Sequence, residues 1–276
     1  MKFTKMQGCG NDYVYVNCFE ERVADPPTAA RIVSDRHFGI GSDGLILIEP
    51  SASADFRMRM FNPDGSESAM CGNGIRCVAK YVFDHGLTSE TEIDIETGAG
   101  VKHLVLTLRD GRVSAVRVDM GEPRLDRADV PMRGAPGRVL CEPLKAGGRR
   151  FEVSCLSMGN PHTIIRVAEP TDELVLGFGP KIETHPAFPE RTNVEFVQVI
   201  SRTEVRSRTW ERGTGETLAC GTGASATCVA CALNGWTGRR ITVHLLGGDL
   251  EIDWSEDNHV YMTGPAVEVF SGEIRL

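Results

Sequence analysis

The sequence predicts an α+β protein of two pseudo-symmetric domains, each a strongly curved, mostly antiparallel sheet wrapped round a buried central helix. Three observations carry that expectation. A cassette occurs twice, as GSESAMCGNG at residues 65–74 and TGETLACGTG at 214–223, each with a glutamate, a cysteine four positions on, and Gly-x-Gly directly after it. One interval relates the copies: 220 minus 71 gives 149, and the same spacing joins Asn11 to Asn160, Glu67 to Glu216, Gly72 to Gly221 and Gly74 to Gly223. A constant offset of this kind marks a duplicated unit. Finally, each cysteine is followed by an apolar helical segment and then by alternating strands.

In order along the chain, the start MKFTKMQGCGND has two lysines and no apolar segment behind them. No later stretch approaches the roughly 18 apolar residues of a membrane span, so a soluble, untargeted chain is expected. After Cys71, GNGIRCVAKYVFDHG reads as a helix stopped by Gly86. TEIDIET, VKHLVLTL and RVSAVRVDM then alternate as strands, with Asp110-Gly111 as a hairpin turn that needs positive φ. The phrase Met120-Gly121-Glu122-Pro123 closes this half, and Met262-Thr263-Gly264-Pro265 closes the other. The expected domains are therefore 1–118 and 119–265. In the second, GTGASATCVACALNG reads as a helix stopped by Gly235, followed by strands RITVHLL, DLEIDW and HVYMTG with a turn at Gly247-Gly248. Neither helix has a wide polar face, so both should be largely buried. The tail AVEVFSGEIRL, 266–276, lies beyond the second closing phrase and is expected to return to the first domain.

Composition narrows the function. Lys+Arg total 30 against 38 Asp+Glu, a net charge of −8 with no basic run, which disfavours a nucleic-acid or anionic-membrane partner. Nine cysteines, an odd number in a long chain, suit free thiols in a reducing cytoplasm. No metal is expected: Cys228-x-x-Cys231 lies inside an apolar helix, and no second Cys/His pair accompanies it. Gly221-Thr-Gly-Ala-Ser-Ala226 imitates a dinucleotide fingerprint, but the segment before it is polar where a buried strand would be needed. None of the six lysines has the context of a pyridoxal site, so no cofactor is expected.

The cassettes suggest a chemistry. A helix N-terminus presents unpaired N–H groups and partial positive charge. A thiol placed there should have its pKa lowered from about 8.5, and the glycines let a carboxylate approach the same N–H groups. Two such cassettes, related by an approximate two-fold axis, would let one thiolate remove an α-hydrogen while the opposite thiol returns a proton to the other face. Cys71 and Cys220 are the candidate pair.

The chain resembles the diaminopimelate epimerases, members of the cofactor-independent two-thiol racemase superfamily. The likeness spans nearly the whole length and rests on GCGND (8–12), FNPDGSESAMCGNG (61–74), GNPH (159–162), RTN (191–193) and ERGTGETLACGTG (211–223). The resemblance implies a homodimeric enzyme that converts LL-2,6-diaminopimelate to the meso isomer with Cys71 and Cys220 as acid and base. It implies that Gly72-Asn73 and Gly221-Thr222 bind the α-carboxylate. Asn11, Asn62, Asn160, Asn193, Glu211 and Arg212 would hold the other polar groups of this amino-acid substrate. His162 and Glu211 would tune thiol protonation, with their assignment to one cysteine or the other left open. Ser42-Asp43-Gly44 departs from relatives that carry glutamine after the aspartate, and Thr222 stands where serine sometimes does. The alternatives are a related racemase for histidine or proline, and a non-catalytic thiol protein that uses the two cysteines as a redox pair.

Overall fold

The alternating stretches after each cysteine form strands in the computed structural model, which describes residues 1–276. The chain divides into one unit of Met1–Asp119 with Thr263–Leu276 and another of Met120–Met262. The first unit contains β1 (Lys2–Gly8), β2 (Asn11–Asn17), α1 (Pro26–Ser34), β3 (Leu45–Glu49), β4 (Phe56–Phe61), β5 (Glu67–Ser68), α2 (Gly72–Asp84), β6 (Glu92–Thr97), β7 (Gly100–Arg109) and β8 (Arg112–Asp119). The second contains β9 (Val139–Ala146), β10 (Arg149–Ser157), β11 (Pro161–Arg166), α3 (Asp172–Glu183), β12 (Asn193–Val199), β13 (Glu204–Glu211), β14 (Gly215–Thr217), α4 (Gly221–Leu233), β15 (Arg240–Leu245) and β16 (Gly248–Trp254). β17 (Val260–Gly264) crosses the unit boundary, and β18 (Val267–Glu273) completes the first unit.

Each unit repeats the other's plan. Shifting α2 by 149 residues gives the bounds of α4. The pairing Val14 with Leu45 between parallel β2 and β3 recurs as Thr163 with Val194 between parallel β11 and β12. The antiparallel pairing Leu45 with Phe61 recurs as Val194 with Trp210. β18 lies antiparallel to β1 in the first unit, where β9 lies antiparallel to β10 in the second. Parallel contacts are confined to β2–β3, β4–β6, β11–β12 and β13–β15, and the other pairs described within the units are antiparallel.

The sheet of each unit curls round one helix. α2 packs on β1, β2, β7, β8 and β18, and α4 on β10 to β13, β15 and β16. Small residues let strands come this close: α4 buries Ala224, Ala226, Cys228, Ala230 and Cys231 completely. α2 buries Ile75, Val78 and Val82, each worth about 1.5–3 kcal/mol of transfer free energy. Both helices end as their glycines predict, with Gly86 at φ 73 and Gly235 at φ 68.

Two features differ from the sequence reading. Each unit has a second helix on the outer face of its sheet, α1 against Val14, Val16, Leu45 and Leu47, and α3 against Ile165, Val194 and Phe196. Their sequences hide them: α1 is nine residues opening on two prolines, and α3 carries Gly177, Gly179 and Pro180. An Asp25 cap on the Thr28 N–H starts α1, and packing stabilises what propensity does not. The two helical layers also explain why LILI in β3 is buried at every position, since both faces are covered. Asp110 and Gly111 take the expected positive φ, 53 and 74. The other hairpin turns one residue earlier than expected, on Leu246-Gly247, because Leu245 pairs with Gly248, which opens β16 at φ 143.

Candidate active site

Each candidate cysteine is the N-cap of its unit's central helix, in extended backbone at φ −135, ψ 118 for Cys71 and φ −114, ψ 109 for Cys220. The glutamate that opens each cassette is structural. Glu67 makes a two-pronged bond to Arg59 at 2.8 and 3.0 Å, and Glu216 to Arg208 at 2.7 and 3.0 Å. Arg59 and Arg208 also obey the 149 offset, so each pair clamps the short strand before a cysteine onto its neighbour. The fifth helical position is used alike in both units. Buried Arg76 donates to the Gly72 carbonyl at 3.1 Å, and Ser225 donates to the Gly221 carbonyl at 2.9 Å.

In the first unit, the Gly74 N–H donates to Cys71 Sγ at 3.3 Å, and the thiol donates to Asn11 Oδ1 at 3.3 Å. Asn73 Nδ2 approaches the same oxygen at 3.5 Å. Asn11 is oriented from behind, because its Nδ2 donates to Asp43 at 2.7 Å while Arg36 joins Asp43 and Asp12. Sequence reasoning overlooks Tyr13, whose hydroxyl reaches Asn11 and Cys71 and whose phenol is pushed up by burial and then by the Cys71 and Asp43 charges. Asn62 sits in a turn with Ser66, donating to its Oγ at 3.0 Å. Gly44, the departure noted above, has φ 152, and a Cβ there would collide with the Phe61 carbonyl and the Tyr13 ring.

In the second unit, Cys220 is buried, with Thr222 Oγ1 3.5 Å from its sulfur and the Gly223 N–H also bonded to it. Glu211 hydrogen-bonds the same thiol, accepts from Thr217 Oγ1 at 2.5 Å, and has its carboxyl pushed up by burial. His162, fully buried, lies between Glu195 at 2.7 Å on Nδ1 and Asn160 Oδ1 at 2.9 Å on Nε2, and Asn160 Nδ2 approaches Thr222 Oγ1 at 3.3 Å. His162 and Glu211 thus belong to the unit of Cys220. Asn193 has both ends of its amide occupied, donating to the Pro161 carbonyl at 2.8 Å and accepting from the Arg212 N–H at 2.9 Å. It shapes the Glu211–Arg212 turn. The Arg212 guanidinium stays exposed and donates to the Glu190 carbonyl at 3.2 Å.

One expectation is overturned. A helix N-terminus should lower a thiol pKa, yet Cys220 is held well above its ordinary value. Burial is the largest cause, followed by the charges of Glu211 and Glu195, and together they outweigh the bonds from Thr222 and Gly223. Glu195 is the residue that no motif announces: it reads as one polar position in a buried strand, and only its complete burial beside His162 reveals it.

Comparison with known proteins sharpens this picture. The family model described as Diaminopimelate epimerase matches residues 3–125 and 154–269. The chain is 58% identical over 284 residues to the diaminopimelate epimerase of Agathobacter rectalis, covering 100% of both. It is also 58% identical to that of Acetivibrio thermocellus, covering 100% of this chain and 99% of the relative. Among solved structures, a probable proline racemase from Agrobacterium radiobacter aligns with a TM-score of 0.73 at 16% identity, covering 100% of this chain and 93% of that one. A hydroxyproline epimerase from Agrobacterium vitis aligns with a TM-score of 0.70 at 16% identity, covering 99% and 90%. At that identity the structural likeness speaks for the fold.

Proposed function

The chain belongs to the diaminopimelate epimerase family, and from that premise we propose that Cys71 and Cys220 are its acid/base pair. The reaction is the cofactor-independent interconversion of LL- and meso-2,6-diaminopimelate, a step of lysine biosynthesis. Inversion needs a base on one face of the α-carbon and an acid on the other, and two thiols on separate cassettes divide that task. The thiolate takes the α-hydrogen as a proton. The electron pair it leaves passes toward the carboxylate as enolate-like charge, and the opposite thiol gives its proton to the other face. The sulfurs exchange protonation states, and no atom is gained or lost.

The observation that carries this reading is the paired cap: two cysteines at one offset, each heading a buried helix whose first turn holds Gly-x-Gly. Gly72-Asn73 and Gly221-Thr222 supply N–H groups for the α-carboxylate and for the charge that develops on it. Burial and two nearby carboxylates favour Cys220 as the thiol, which suits the acid's part, with Glu211 bonded to it as the tuning group. Asn11, Asn62, Asn160, Asn193 and Arg212 hold the substrate's remaining polar groups, Asn193 by shaping the turn that carries Arg212. His162 supports proton transfer from its place between Glu195 and Asn160. The same reading takes the enzyme as a cytoplasmic homodimer, which sedimentation would check.

The test is solvent deuterium uptake at the α-carbon of diaminopimelate, proline and histidine under reducing conditions. Wild type should label only the first. Cys71→Ala and Cys220→Ala should each lower epimerisation by at least about a hundredfold with the fold intact. Near-normal turnover in either variant would sink the two-base assignment, and efficient labelling of proline or histidine would reassign the substrate.

A further inference from the structure

We propose that Glu195 is a positioning residue for this reaction: its buried carboxylate holds a hydrogen on Nδ1 of His162 and turns Nε2, the ring atom left to exchange protons, toward Asn160 and the Cys220 cassette. The proposal rests on the assignment of Cys71 and Cys220 as the two bases. It starts from the 2.7 Å contact between Glu195 Oε1 and His162 Nδ1, made between two side chains with no exposed surface. An ionised carboxylate only accepts, so the ring nitrogen facing it carries the hydrogen. The other nitrogen then faces outward, donating to Asn160 Oδ1 at 2.9 Å when it holds a hydrogen, because an amide oxygen only accepts, and the contacts continue from Asn160 Nδ2 to Thr222 Oγ1 at 3.3 Å and from Thr222 Oγ1 to Cys220 Sγ at 3.5 Å.

The internal repeat supplies an independent argument. Subtracting 149 places Tyr13 opposite His162 and Ile46 opposite Glu195. The side chains at the second pair of positions occupy the same place in their units. A Cβ added at Gly74 would lie 2.6 Å from Ile46 Cδ1, and one added at Gly223 would lie 2.7 Å from Glu195 Oε1. The fold therefore accepts an aliphatic side chain here. A carboxylate in the same slot is costly to desolvate and must be compensated by pairing. Its Oε2 finds no hydrogen-bond partner in the protein, so the compensation comes through Oε1 and His162. The second unit thus keeps a charge that packing does not require, coupled to a histidine where the first unit has a tyrosine. Other ionisable groups share this pocket: Glu211 from β13, Cys220 at the head of α4, and Cys155 from β10, all of which sense the Glu195 charge.

Nitrogen-15 NMR of histidine-labelled protein tests the assignment, with the His162 signals identified by their loss in His162→Gln. In wild type, Nδ1 should keep its hydrogen across the titration while Nε2 is the nitrogen that changes. Glu195→Gln preserves shape but can present either an oxygen or an NH2 group, so mixed tautomers should appear. In that variant kcat should fall about 10- to 100-fold, with KM within about threefold of wild type and the pH profile displaced. Glu195→Asp should recover part of the loss. A wild-type Nδ1 that loses its proton, or a Glu195→Gln enzyme with unchanged kcat and pH profile, would overturn the proposal. If Glu195→Gln does not fold, the wild-type spectrum decides alone. The spectrum does not depend on turnover, so near-normal epimerisation in both cysteine variants would reject the two-base reading and leave the tautomer result standing.

Discussion

Replacing Gly223 with alanine should disable the second cassette while the matched change at Gly74 is tolerated. Neither glycine has a positive φ, so alanine suits both backbones, and removing a helical glycine gains about 1 kcal/mol. The difference lies in what the new methyl meets. At Gly74 it meets the terminal methyl of Ile46, which can swing about 30° off its rotamer for about 0.5–1.5 kcal/mol, so Gly74→Ala should be close to neutral. At Gly223 it meets Glu195 Oε1 at 2.7 Å, with Cys220 Sγ at 3.2 Å. Ordinary contact begins at 3.4 Å, so the oxygen must retreat by 3.4 minus 2.7, or 0.7 Å. It is held by the 2.7 Å bond to His162, and losing a charged hydrogen bond costs about 1.5–3 kcal/mol. After the propensity gain, Gly223→Ala should be destabilised by about 0.5–2 kcal/mol. Urea unfolding of the two variants, read with kcat, checks this. In a Glu195→Ala background the obstruction is gone, and the two changes should not add. A Gly223→Ala protein as stable and as active as Gly74→Ala would refute the reasoning.

Other expectations follow from the electrostatics. Glu211→Gln removes a charge that holds the Cys220 thiol protonated, so the ultraviolet absorbance of its thiolate should appear at lower pH than in wild type, with kcat reduced. An unmoved thiolate titration would place that charge elsewhere. Stability should fall on the alkaline side. Burial raises Cys77 to about 11 and Cys155, Cys228 and Cys231 to about 12, so between their ordinary value near 9 and those values the unfolded chain holds fewer protons than the folded one. Each thiol then lowers stability by up to about 1.4 kcal/mol per pH unit, and a Tm constant from pH 9 to 11 would contradict it. Arg212→Ala should raise KM for diaminopimelate by the equivalent of about 1.5–3 kcal/mol without lowering Tm, since its side chain is exposed. A KM equal to wild type would remove Arg212 from the substrate site.

Much of this protein is decided locally and is therefore readable from the chain. The 149-residue repeat, the two cysteine caps, the helices ending at Gly86 and Gly235, and the Asp110-Gly111 turn depend on neighbouring residues and on periodicity. These are the terms in which a sequence is written. The outer helices α1 and α3 escape such reading because proline and glycine hide them and packing against the sheet stabilises them. The thiol chemistry escapes it for another reason. A cap position alone predicts an acidic Cys220, but burial and two carboxylates arriving from β12 and β13 reverse the sign. Asn193 reads in the sequence as one residue of a short motif, and only the structure shows its amide joining the Pro161 carbonyl to the Arg212 N–H. Glu195 looks like an ordinary strand residue until His162 is found against it across parallel β11 and β12. Desolvation and charge act through space between residues far apart in the chain, so local pattern sets where each cassette stands and tertiary packing sets how its sulfur behaves.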